Sequence, residues 1–193
     1  MLRRFANAAA RVAAAGLALA VLAGCGDGST PAVEGSAPLA DRPGKLAHPE
    51  LRALERRANR LLDGGTEAFE AQLERLRGHP VVVNQWASWC GPCRYEFPFF
   101  QRLAAKYRGR VAFLGVNSQD SRGDAEDFLD EFPVPFPHFY DKDASVARLF
   151  GGGRAWPSTA FYRADGELVK THLGAYASEA KLEQDIRRYA LDG

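Results

Sequence analysis

The chain is poor in the residues that hold folds together covalently or through metals. Three cysteines in 193 residues are too few for a framework of structural disulfides. The four histidines, His48, His79, His138 and His172, show no metal-ligand spacing, so they read as surface or hydrogen-bonded residues and no metal site is expected. Neither sign of charge dominates. With 25 basic and 24 acidic side chains the formal charge is +1, so nothing in the bulk balance points to a polyanion-binding surface of the kind nucleic acid requires. Long hydrophobic runs are also missing. From Val12 to Ala23 only small or aliphatic residues occur, but as a helix that stretch spans about 18 Å against a bilayer core of about 30 Å. What remains is an ordinary globular composition, 46% hydrophobic and 25% charged, with enough apolar surface to offset the cost of ordering a backbone.

The first 24 residues carry Arg3, Arg4 and Arg11 and no acid. A positive start, an apolar stretch and then Leu22-Ala23-Gly24-Cys25 read as an export signal over residues 1–24 rather than as fold. The tetrapeptide resembles the bacterial lipobox. That resemblance implies that Cys25 becomes the new N-terminus, thioether-linked to diacylglycerol, and anchors the chain firmly through its acyl chains. The alternative is a plain secretory signal that leaves Cys25 a free thiol. Residues 25–47, rich in Gly, Ser, Ala, Pro and Asp without apolar period, read as a flexible tether. The folded body is expected over 48–193.

Within that body, Leu51, Leu54, Ala58 and Leu61 recur at helical spacing, so Pro49 to Leu62 predicts a helix that Gly64-Gly65 ends. It forms an N-terminal helical extension over 48–64, packed on the domain or, since it is rich in arginine, resting on anionic lipid. Thr66 is placed to cap a second helix carrying Phe69, Leu73 and Leu76. The period then changes. Val81-Val82-Val83 is a β-branched run suited to a strand buried on both faces. A helix from about Pro92 to Tyr107 and an apolar strand from Val111 to Val116 complete a βαβ unit. Further on come a helix over 124–132, a Pro-broken stretch before Phe139-Tyr140, and a short helix stopped by Gly151-Gly152-Gly153. A hairpin turns at Ala164-Asp165-Gly166 between Ser158–Arg163 and Glu167–Leu173. A last helix starts at Ser178 with Leu182, Ile186 and Tyr189 inward.

Once Cys25 is set aside, the exported body holds only Cys90 and Cys93, spaced Cys-x-x-Cys. Such a pair is a redox couple or half of a metal site. In Trp86-Ala87-Ser88-Trp89-Cys90-Gly91-Pro92-Cys93 the chain leaves a buried strand and starts a helix at Cys90. Unpaired N–H groups and the helix dipole favour an anion there, and a thiolate is one. Pro92 falls in the first turn, where its missing N–H is harmless, and Cys93 lies one turn on, within reach of a disulfide. This string resembles the thioredoxins, and with the export signal it resembles the TlpA/ResA group of membrane-tethered extracytoplasmic members over roughly residues 66–190. The resemblance implies an α/β fold: a central mixed β-sheet flanked by helices, with an extra helix-strand insertion within 118–150. Departing from that group's entry strand, residues 49–77 read as two helices.

The same resemblance implies that Cys90 is the exposed attacking thiol and Cys93 the buried resolving thiol. Trp89, Gly91 and Pro92 would border the substrate. Trp156-Pro157 matches the family's cis-proline loop, where Trp156 would pair with a substrate backbone, although a bulky residue there is unusual and reads equally as a hydrophobic plug. Glu96 matches an acidic residue that the ResA-like group keeps near its cysteines. It is either a proton relay to Cys93 or a solvated helix residue. The strand acid of cytoplasmic thioredoxins is missing, replaced by Asn84. The activity implied is thiol-disulfide exchange with cysteine-containing proteins, without cofactor. Gly-Pro between the cysteines favours reduction, of the type used in cytochrome c maturation, fed by a membrane electron donor. Oxidation of secreted proteins and copper carriage by the cysteine pair are the alternatives.

Overall fold

The computed structural model describes residues 48–192. The expected export signal and tether, and the anchor expected at Cys25, lie outside the described residues. The elements run α1 (Pro49–Glu55), β1 (Leu61–Leu62), α2 (Gly65–Arg75), β2 (Val81–Trp86), α3 (Gly91–Lys106), β3 (Ala112–Ser118), α4 (Arg122–Glu131), β4 (His138–Asp141), α5 (Ser145–Leu149), β5 (Ser158–Tyr162), β6 (Leu168–Leu173) and α6 (Glu179–Asp185). Wider π-type turns continue α6 over Ile186–Leu191.

The six strands form one sheet in the order β1-β4-β3-β2-β5-β6. β1, β4, β3 and β2 run parallel, β5 adds antiparallel beside β2, and β6 adds antiparallel beside β5. This is the mixed sheet expected, with α4 and β4 as the inserted helix and strand. β2 lies at its centre because every one of its residues is buried, and alternate side chains serve opposite faces. Val82 and Trp86 join Phe97, Phe100, Phe128, Leu182 and Ile186 on one side. Val81 and Val83 join Leu54, Phe69, Val146 and Phe150 on the other.

The N-terminal region corrects the sequence reading. The helix expected over 49–62 stops at Glu55, and Leu61–Leu62 form an edge strand on β4. Tertiary hydrogen bonds outweigh the helical period here. Asn59, at φ 58°, donates its backbone N–H to Phe136 O at 2.9 Å and its amide to Leu129 O at 3.0 Å. Its side-chain oxygen accepts from Val134 N at 3.0 Å. The chain is thereby fastened to the loop before β4 and turned into the sheet. Thr66 is not the cap of α2 either: Gly64, at φ 113°, takes that place without a side-chain bond. Tyr189 is only half-buried, whereas Leu182 and Ile186 are fully inward as expected.

Candidate active site

β2 delivers the chain through Ala87, Ser88 and Trp89 to the start of α3, and Cys90 is the N-cap. Its backbone is extended and its sulfur accepts a hydrogen bond from Cys93 N–H at 3.1 Å, so the sulfur fills the place a cap oxygen takes in most helices. Cys90 and Cys93 are joined by a disulfide, with sulfurs 1.98 Å and Cα atoms 5.2 Å apart. Gly91 and Pro92 between them are exposed. Cys93 has no exposed surface, as expected of a resolving thiol. Cys90, in this disulfide, is 3% accessible.

Glu96 follows Cys93 by three residues, so both lie on the buried face of α3. It is completely buried, which rules out the solvated reading. One carboxylate oxygen accepts from Asn84 Nδ2 at 2.9 Å and the other from Tyr176 N–H at 3.0 Å. Burial pushes its pKa up to about 7, against the opposing pull of those two donors. Asn84, at strand position 84, thus holds the Glu96 carboxyl through its amide. Asn84 pairs with Thr159 of β5, and Thr159 with His172 of β6, so a band of polar residues crosses the sheet near Glu96.

The loop before β5 closes the other side. The Trp156-Pro157 bond is cis, as expected. Ser158 pairs with Gln85 of β2, which sets Pro157 level with the last residue of the strand leading to the cysteines. Pro157 O accepts from Gly174 N at 2.9 Å, and Gln85 Oε1 accepts from Gly153 N at 2.8 Å. A side chain at Gly152 would sit 2.4 Å from that oxygen, so the glycine run serves close approach as well as stopping α5. Trp156 is half-buried against the cluster that contains both cysteines. Its ring lies 5.6 Å from that of Trp89, which is 57% exposed.

Two further residues have roles that the sequence did not mark. The Asp120 carboxylate accepts from Ser88 N (2.6 Å), Ser88 Oγ (2.8 Å), Asn117 Nδ2 (2.8 Å) and Ser121 N (3.0 Å). Beside it, Gln119 O accepts from Trp89 Nε1 at 2.9 Å. The loop after β3 therefore clamps the segment that presents Cys90. His138 is fully buried, and its Nδ1 accepts from Trp86 Nε1 at 3.0 Å. Burial alone drives its pKa down to about 3, so it is a neutral core residue. It packs over Gly115, where a Cβ would come within 1.8 Å of the ring. Among the described residues no three His, Cys, Asp or Glu side chains gather as a metal site would need.

A cysteine couple capping a helix over this sheet, with a cis-proline loop beside it, defines the thiol-disulfide oxidoreductases of thioredoxin-like fold. The chain belongs to the Redoxin family, whose sequence pattern matches residues 44–186. It is 35% identical over 105 residues to the thiol-disulfide oxidoreductase ResA of Oceanobacillus iheyensis, a match covering 54% of each protein. The chain thus spans about half the length of that relative. To the ResA of Halalkalibacterium halodurans it is 30% identical over 129 residues, 66% of this chain and 72% of that one. Among solved structures, a secreted Mycobacterium tuberculosis disulfide oxidoreductase homologous to Escherichia coli DsbE superposes with TM-score 0.53 at 28% identity. That likeness covers 60% of this chain and 85% of the other.

Proposed function

We propose that this chain is a lipid-anchored, extracytoplasmic thiol-disulfide oxidoreductase that reduces disulfides in cysteine-containing proteins. The observation that carries the reading is the Cys90–Cys93 disulfide at the mouth of α3 with a buried carboxyl, Glu96, on the same helix face. In the reduced chain the Cys90 thiolate, stabilised by the N–H groups of the first turn, attacks a substrate disulfide. A mixed disulfide forms and one substrate thiolate leaves. Cys93, held a turn away, then attacks Cys90 Sγ and expels the second substrate thiolate. Two electrons pass to the substrate, and the chain is left oxidised. Because resolution is intramolecular, positioning supplies most of its rate.

Glu96 serves this cycle as the proton acceptor for Cys93. A carboxyl whose pKa lies near 7 exchanges a proton readily at neutral pH, which a surface glutamate cannot match. Trp89, Gly91, Pro92, Trp156 and Pro157 form the surface that meets the substrate, with the Trp156 backbone pairing to it as an added strand.

Reduction, with a membrane electron donor and apocytochrome c as the substrate type, is supported by the Gly-Pro dipeptide and the ResA relatives. Export and anchoring at Cys25 are supported by the basic, apolar, Leu-Ala-Gly-Cys pattern of residues 1–25, and the secreted M. tuberculosis protein is consistent with export. The test is trapping. Incubated with a protein disulfide substrate, reduced Cys93→Ser is expected to accumulate a mixed disulfide visible on non-reducing gels, and Cys90→Ser to lose turnover altogether. Normal turnover by Cys90→Ser contradicts the assignment.

A further inference from the structure

In the oxidised chain Cys90 is hard to reach. It is 3% exposed, although Trp89, Gly91 and Pro92 around it are all exposed. Trp89 is its neighbour in the chain, and a second indole, Trp156, lies against Trp89. The Trp89 and Trp156 rings lie 5.6 Å apart, tilted by 47°, and Trp156 packs on the cluster that holds both sulfurs. Trp89 is fastened by its N–H to Gln119 O. Trp156 is not: its Nε1 is buried without an acceptor among the described residues. An indole N–H shut away from both water and a partner gains a hydrogen bond whenever the ring turns to meet a carbonyl.

We propose that Trp89 and Trp156 form a movable aromatic screen over Cys90, which slows small disulfides and opens for polypeptides carrying an apolar or aromatic side chain beside the cysteine. The proposal rests on the exchange reading above and names the substrate class for that site. Glutathione disulfide brings no apolar side chain to replace the contact between the indoles, so it reacts only through the residual opening. A polypeptide brings a side chain to stack on the rings and a backbone carbonyl to accept the Trp156 N–H. Exposed apolar side chains also stand on α3 and β6. Tyr95 is 59% exposed with its hydroxyl donating to Ala177 O. Leu173, 52% exposed, pairs with Ser158 directly after Pro157. With either disulfide the chemistry is the same: Cys90 displaces one thiolate, Cys93 displaces the other, and two electrons leave the cysteine pair.

The test compares the reduced parent chain with Trp156→Ala and Trp89→Ala. Three rates are measured: alkylation of Cys90 by iodoacetamide, located by mass spectrometry, and exchange with glutathione disulfide and with a peptide disulfide bearing Trp beside each cysteine. Opening the screen is expected to raise the alkylation and glutathione rates about tenfold, since thiol reactivity scales with access. It should also erase the preference for the peptide. Trp89→Ala removes a largely exposed ring and tests the same screen even if Trp156→Ala fails to fold. Rates within twofold of the parent overturn the proposal. Alkylation needs no exchange partner, because Cys90 simply displaces iodide. A parent that exchanges with neither disulfide therefore overturns the exchange reading, and the alkylation rates still decide the screen.

Discussion

At the residue scale, two buried titratable groups pull on stability in opposite directions. Glu96 has its pKa raised to about 7 by burial, so between pH 4.5 and 7 the folded chain holds a proton that the unfolded chain has released. Stability therefore falls as pH rises through that window, by about 1.4 kcal/mol per unit. His138 has its pKa lowered from 6.5 to about 3, so below pH 6.5 it is the unfolded chain that holds the extra proton. Its contribution rises with pH by the same slope. Between about pH 4.5 and 6.5 the two cancel. Glu96→Gln is expected to unmask a rise of about 3 kcal/mol across that interval in urea unfolding of the oxidised chain, and His138→Gln a matching fall. Variants whose pH slopes equal the parent's would show that neither group is buried as described. Glu96→Gln should also flatten the pH profile of disulfide exchange near 7, and an unchanged profile would remove the proton-relay role.

At the element scale, the clamp between the loop after β3 and the segment before α3 decides how Cys90 is presented. Asp120 is 9% exposed and accepts four hydrogen bonds. Asp120→Ala strands those donors, which is expected to cost about 3 kcal/mol of stability, to raise KM for a protein disulfide and to alter Trp89 fluorescence. A variant with parental KM and emission would contradict the clamp. None of this was legible in the sequence, because Ser88 and Asp120 are 32 residues apart and neither belongs to a local pattern. Strong local patterns did carry their elements. The valine run of β2, the Cys-Gly-Pro-Cys start of α3 and the β5–β6 turn stand where the sequence places them. The stretch 49–62 misleads for the opposite reason: four apolar residues at helical spacing suit a helix, but Asn59 finds better partners in the loop before β4 and Leu61–Leu62 enter the sheet. Glu96 lay between two readings because spacing puts it near Cys93 without saying whether the face is wet. Packing of α3 against β2 decides that.

At the scale of the whole molecule, the proposed anchor lies outside the described residues and the exchange site lies within them. If Cys25 carries the lipid, Cys25→Ser is expected to move the chain from the membrane fraction to the soluble fraction while leaving the exchange rate of the folded domain unchanged. Membrane retention of that variant would contradict anchoring there. The direction of electron flow is likewise a property of the entire domain, since the potential of the couple reflects every group that stabilises its thiolate or its disulfide. It is read most directly by equilibrating the Cys90/Cys93 couple with glutathione or dithiothreitol buffers of known poise and measuring the oxidised fraction. A reductant of protein disulfides is expected to titrate as a reversible two-electron couple near the thioredoxin value of about −270 mV. A couple less negative than about −200 mV, or two cysteines that do not titrate together, would contradict the account.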